Sequence, residues 1–167
     1  MTSQVLRAQA SRERPAVKAW VALLRAHAAL TRELNADLVH QHGLTINDYE
    51  VLLHLAHADD GRLRRVDLAQ RLVLTASGIT RLLDGLENAG YVEKARCQSD
   101  ARVTYAVLTE AGLAKLREAS NTHVGGIRSL FESRYSERDL EALAELLERL
   151  PADGAPAEEC SAPAPEA

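Results

Sequence analysis

The stretch Leu68–Gly112, LAQRLVLTASGITRLLDGLENAGYVEKARCQSDARVTYAVLTEAG, decides the fold of this chain. Its first half places apolar residues at helical steps. Leu68, Ala69 and Leu72 share one face of a short helix, and Ile79, Leu82, Leu83 and Leu86 line the inner face of a second, opened by Thr75 and stopped by Gly90. Only a tight turn at Val73 and Leu74 separates the two. The period then drops to two. Tyr91–Ala95 and Val103–Leu108 read as the strands of a hairpin, joined by the polar tip Arg96-Cys97-Gln98-Ser99-Asp100-Ala101-Arg102.

Two short helices across a tight turn, followed at once by a hairpin, make a winged helix-turn-helix, so the fold class is mainly α with a small β-hairpin wing. Working outward, Trp20, Leu23, Leu24, His27, Leu30, Leu34 and Leu38 recur at three- and four-residue steps and predict a long helix from Pro15 to His42, closed by Gly43. Thr45 and Asp48 have capping-box spacing and open a helix through Tyr49, Leu52, Leu53 and Ala56, which ends at Asp59-Asp60-Gly61. Beyond the hairpin, Thr109 caps a long helix through Leu113, Leu116, Ile127, Leu130 and Phe131, with a bend expected at Gly125-Gly126. Ser136 starts a final helix through Leu140, Leu143, Leu146, Leu147 and Leu150. The first residues, 1–14, read as a flexible N-terminus, and the Pro-, Ala- and acid-rich residues 151–167 as a disordered acidic tail.

The second helix of such a pair is narrow enough for the major groove, and its N-terminal residues meet base edges. With Ile79, Leu82 and Leu83 facing inward, Ala76, Ser77, Thr80 and Arg81 face outward. Ser77, Thr80 and Arg81 are therefore candidate DNA contacts. At the wing tip the candidates are Arg96, Gln98 and Arg102, with Asp100 orienting the Arg102 guanidinium for entry into a minor groove. Arg64 and Arg65 read either as loop residues or as phosphate contacts, and Arg65 is carried as a candidate.

Composition agrees with a partner of opposite charge on one face. The net charge is −4, yet residues 62–102 hold eight basic and five acidic residues, net +3, against twelve and nineteen, net −7, elsewhere. Two cysteines make no disulfide framework, and neither an apolar leader nor a membrane-length apolar run is present, which predicts a cytoplasmic protein without membrane contact. No nucleophile–base pair, phosphate loop or metal-ligand set is spaced for catalysis, so an enzyme is not expected and no cofactor is assigned.

The pieces L-A-x-R-L, I-T-R-L-x-D-x-L-E-x-x-G-x-V-E, D-x-R and L-T-E-A-G, in this order, resemble the core of the MarR family of transcriptional regulators. The resemblance implies an obligate homodimer whose first and last two helices interlock while two wings reach a pseudo-palindromic double-stranded DNA operator. On that basis residues 15–43 form the first dimerisation helix, 44–108 the winged helix-turn-helix lobe and 109–150 the C-terminal dimerisation helices. The family's wing aspartate and reaching arginine correspond to Asp100 and Arg102. Ala101 departs from the further arginine usual between them, which implies a weaker wing contact or compensation by Arg96.

The resemblance further implies a repressor released by a small aromatic or anionic effector. Trp20 and His27 share a face of the first helix, and Tyr49 and His54 lie on the next. These four are the candidate effector pocket, with His27 or Arg25 meeting an anion; the competing reading of Trp20 and His27 is core packing. His40 and His42 fall on different faces, and His54 and His57 lack a further ligand at metal spacing, so no metal site is assigned. Cys97 reads as a tolerated surface thiol, with redox sensing as its alternative. The alternatives to the effector-released repressor are an architectural or protein-interaction winged helix without effector, and a metal- or redox-responsive member of the same family.

Overall fold

The computed structural model describes residues 15–96 and 103–150. Within them the chain forms α1 (Pro15–His42), α2 (Ile46–Ala56), β1 (Arg62–Arg64), α3 (Arg65–Arg71), α4 (Ala76–Asn88), β2 (Val92–Arg96), β3 (Thr104–Leu108), α5 (Glu110–Glu132) and α6 (Glu137–Glu148). None of these helices is long and apolar enough to cross a membrane.

Hydroxyl side chains open four of the helices. Thr45 and Asp48 close a capping box on α2, and Ser136 and Asp139 another on α6. Thr75 accepts from the Gly78 N–H at the start of α4, and Thr109 from the Gly112 N–H at the start of α5. Each satisfies a donor that the first helical turn leaves open, and replacing such a cap by alanine costs roughly 0.5–2 kcal/mol.

Helices α3 and α4 end in the same hydrogen-bonded reversal. After α4, Gly90 N–H donates to the Glu87 carbonyl and Tyr91 N–H to the Leu86 carbonyl; after α3, Val73 N–H donates to Gln70 and Leu74 N–H to Ala69. This closure needs a left-handed residue at its centre. Gly90 supplies it at φ +77, whereas after α3 the position is held by Val73 at φ +52. For a side chain branched at Cβ, that backbone costs about 1–2 kcal/mol.

The sheet is antiparallel with β3 central, in the order β1-β3-β2. The hairpin β2–β3 pairs Val92 with Leu108 and Arg96 with Thr104, as the alternation predicts to within a residue. Strand β1 was not expected. Arg62–Arg64 is a three-residue strand that pairs Arg62 with Val107 and Arg64 with Tyr105, directly after a turn sequence. The loop reading of Arg64 and Arg65 is corrected accordingly: Arg64 ends β1 and precedes α3, and Arg65 is the first helical residue.

The core centres on α2, whose Val51, Leu52 and Leu55 are fully buried. Leu38 of α1, Leu68 of α3, Ile79 and Leu83 of α4, and Leu116 and Ala119 of α5 close around them. On α4 the expected inner face holds, with Ile79, Leu83 and Leu86 buried and Leu82 partly so. The bend expected at Gly125-Gly126 does not interrupt α5, which is continuous through both glycines. Gly126 instead permits close helix packing, because a Cβ there would lie 2.9 Å from Leu34 Cδ2 of α1.

Gly112 is still more confined. A Cβ at this position would stand 2.1 Å from the Tyr91 carbonyl oxygen and 2.9 Å from Leu108 Cδ1. Gly112→Ala is expected to destabilise the fold by about 1–3 kcal/mol or more through overpacking. Urea unfolding checks this, and an unchanged midpoint would show that the contact yields freely.

Candidate nucleic-acid interface

Because Ile79, Leu83 and Leu86 bury one face of α4, the opposite face must look outward. Ala76, Ser77 and Arg81 are exposed there and Thr80 is partly so. Among the described residues Arg81 takes part in no ion pair, leaving its guanidinium free for an external anion or base edge. Ser77 Oγ lies 3.2 Å from the capping Thr75 Oγ1.

Thr80 is less free than its sequence position implied. Its hydroxyl donates to the Ala76 carbonyl at 2.7 Å and accepts from Arg65 Nη1 at 3.5 Å. The residue thus orients Arg65, bringing the first residue of α3 beside the outer face of α4. Arg64 is held differently. Its Nε and Nη2 donate to Asp67 Oδ2 and Oδ1 at 2.7 and 2.9 Å, a fork that fixes the start of α3.

The wing is tied to the same helix. Lys94 Nζ on β2 stands 2.5 Å from Asp84 Oδ1 and 2.6 Å from Glu87 Oε2, both on α4. Hydrogen bonds that the Lys94 ammonium donates to Asp84 and then to Glu87 hold its pKa above the ordinary value. Sequence reasoning counted these three only as charges, yet Asp84 and Glu87 are three apart on one helix face and opposite a strand residue, which is the signal for such a clamp. Arg96 is exposed at the end of β2, while Gln98, Asp100, Arg102 and Cys97 lie outside the described residues.

The four residues proposed for an effector pocket are dispersed between environments. Trp20 is 59% exposed and His27 is exposed, so neither belongs to this chain's core. Tyr49 is buried against α5, its hydroxyl 3.2 Å from Ser120 Oγ and its ring 4.5 Å from that of His123. His54 is half-buried, and desolvation, with the Arg71 and His57 charges adding to it, lowers its pKa. Glu50, beside Tyr49 on α2, is raised by burial against the opposing effect of His27. His42 completes the α1–α5 contact, its Nε2 2.7 Å from Thr122 Oγ1 and its Nδ1 3.5 Å from Glu118 Oε1. Among the described residues no group of three or more His, Cys, Asp or Glu side chains is arranged to hold a metal ion.

A lobe with this helix pair and wing is found in known proteins. The model of the MarR family matches residues 42–103. Over 128 residues the chain is 31% identical to the HTH-type transcriptional repressor YetL of Bacillus subtilis, covering 72% of this chain and 76% of that protein. The chain belongs to the MarR family. Among solved structures, this MarR-family protein is similar to AbsC, a MarR family transcriptional regulator from Streptomyces coelicolor, with 36% identity and a TM-score of 0.70 over 78% of this chain and 87% of that one. It is also similar to Sco3205 from the same organism, solved in complex with DNA, with 28% identity and a TM-score of 0.71 over 78% and 81% of the two chains. The MarR-family protein is therefore a DNA-binding transcriptional regulator with a winged helix, and not an enzyme.

One consequence concerns acidity. Desolvation holds the pKa of His123 below its ordinary value. Between the folded and unfolded values the unfolded chain binds a proton that the folded chain refuses, so stability falls as pH drops through about 6.5. Urea unfolding at pH 8 and pH 5.5 should show this loss, and His123→Phe, which keeps a ring against Tyr49, should shrink it. An equal loss in the variant would assign the effect elsewhere.

Proposed function

We propose that the protein is a homodimeric repressor that holds a pseudo-palindromic operator and releases it when a small aromatic or anionic effector binds. The observation that carries the dimer is the apolar surface left open on α1 and α6. Val17, Trp20, Val21 and Leu24 are 53, 59, 36 and 47% exposed and stand at i, i+3, i+4 and i+7 on α1. On and just beyond α6, Leu143, Leu146, Leu147 and Leu150 repeat the same spacing, the last three 58, 40 and 52% exposed, and α6 buries none of its residues. Such stripes belong against another surface. A second copy offers a matching pair, and covering the roughly half of each large side chain still in water contributes about 1 kcal/mol apiece.

In this reading residues 15–43 and 109–150 form the dimerisation helices and 44–108 the DNA-binding lobe. The pairing sets two α4 helices roughly 34 Å apart, one turn of duplex. Ser77 and Arg81 face the groove, Arg65 meets phosphate under the guidance of Thr80, and Arg96, Gln98, Asp100 and Arg102 serve the wing. The similarity to a named repressor supports the direction of regulation. An effector acts through its unequal affinity for two spacings of the lobes, and the open Trp20 ring, with His27 of α1 and Glu50 of α2, is where it is sought.

Leu146→Glu combined with Leu150→Glu should give a monomer in sedimentation and protect only one half-site in a footprint of the DNA upstream of its own gene. A dimer that survives both charges would sink the proposed interface. Separately, Arg81→Ala should weaken binding to that DNA by about 1–3 kcal/mol, roughly ten- to a hundredfold, in a gel shift at fixed salt. Unchanged binding would remove α4 from the contact. Because the chain has one tryptophan, quenching of Trp20 by small aromatic acids, together with release of the DNA, tests the effector.

A further inference from the structure

Val73 combines two unfavourable features that nothing else in the described structure offsets. It occupies the left-handed centre of the turn after α3, the position that Gly90 fills in the identical turn after α4. It is also 92% exposed, the most open of the large apolar side chains described. A glycine or asparagine would relax the backbone and leave no apolar group in water. Packing within the chain therefore does not account for valine here. Its place does point outward: Val73 is exposed two residues before the α4 cap Thr75, in the turn that leads into the exposed Ala76 and Ser77.

We propose that Val73 is a specificity residue of the DNA interface, its methyl groups packing on the 5-methyl of a thymine at the edge of the major groove. The thymine methyl is the apolar group that DNA presents in that groove, and removing both from water would offset the exposure of Val73 in the free protein. The contact also explains a branched, stiff side chain at a turn centre, since a fixed χ1 holds the methyls in one direction without further ordering. It rests on the reading proposed above, in which α4 enters the groove.

Duplexes selected by the full-length wild-type protein from a random-sequence pool provide the probe. They are used as such and with every thymine replaced by deoxyuridine, which removes only the methyl. Val73→Asn and Val73→Gly both accept the left-handed backbone, so each should melt no lower than wild type. The preference of wild type for the thymine duplex should exceed that of either variant by about fourfold, the value of one buried methyl. Variants that bind the thymine duplex as tightly as wild type overturn the contact, as do variants that weaken equally on both duplexes. Arg81→Ala, measured alongside, separates the two failures. If it weakens binding while the Val73 variants do not, only the Val73 contact falls; if it too is without effect, the placement of α4 falls with it.

Discussion

The structure depends on one crowded point where the wing, the end of α4 and the start of α5 meet. Gly112 packs so closely on the Tyr91 carbonyl that no side chain fits between them. Around it, Thr109 Oγ1 donates to the Gly90 carbonyl at 2.8 Å, Thr109 N–H donates to the Tyr91 carbonyl at 3.2 Å, and Gly112 N–H returns to Thr109 Oγ1 at 2.9 Å. A single threonine thus caps α5 while gripping the turn that leaves α4. The helix that carries the exposed serine and arginine cannot tilt without moving the first turn of α5.

From that point rigidity spreads in two directions. Toward the wing, Lys94 clamps β2 to Asp84 and Glu87, and β1 extends the sheet on its other edge. Toward α1 and α2, the Tyr49–Ser120 and His42–Thr122 contacts and the Leu34–Gly126 approach join α5 to the helices that precede the lobe. Most of the exposed polar contacts are individually weak, with ion pairs of this exposure contributing on the order of 0–1 kcal/mol. Their value lies in direction. Apolar burial holds the elements together, and the polar contacts choose among the orientations that burial permits.

The same division explains the proposed assembly. The lobe around α2 closes its own core, while α6 and the first half of α1 keep leucines, valines and a tryptophan in water. Coupling between a dimer and its DNA would then pass through α5, which packs on α1 and α2 and begins at the wing. In that proposed assembly, a change in how two copies sit together would have a short covalent and packed route to α4, the helix proposed to face the groove.

The sequence by itself determined the helices, the hairpin and their order, because periodicity, hydroxyl caps and glycine stops are local signals. Thr45, Thr75, Thr109 and Ser136 each cap the helix they predicted. The outward face of α4 was legible for the same reason, since burying Ile79 and Leu83 leaves Ser77 and Arg81 nowhere else to point. Only tertiary structure decided the rest. Strand β1 has three residues, two of them arginine, and exists because β3 offers an open edge. Thr80 spends its hydroxyl on Ala76 and Arg65, Lys94 became a clamp, and Gly126 served helix packing where a break was expected. Apart from the Thr80–Ala76 bond, each depends on a partner in another element, and periodicity within one element does not record which neighbour folding brings near.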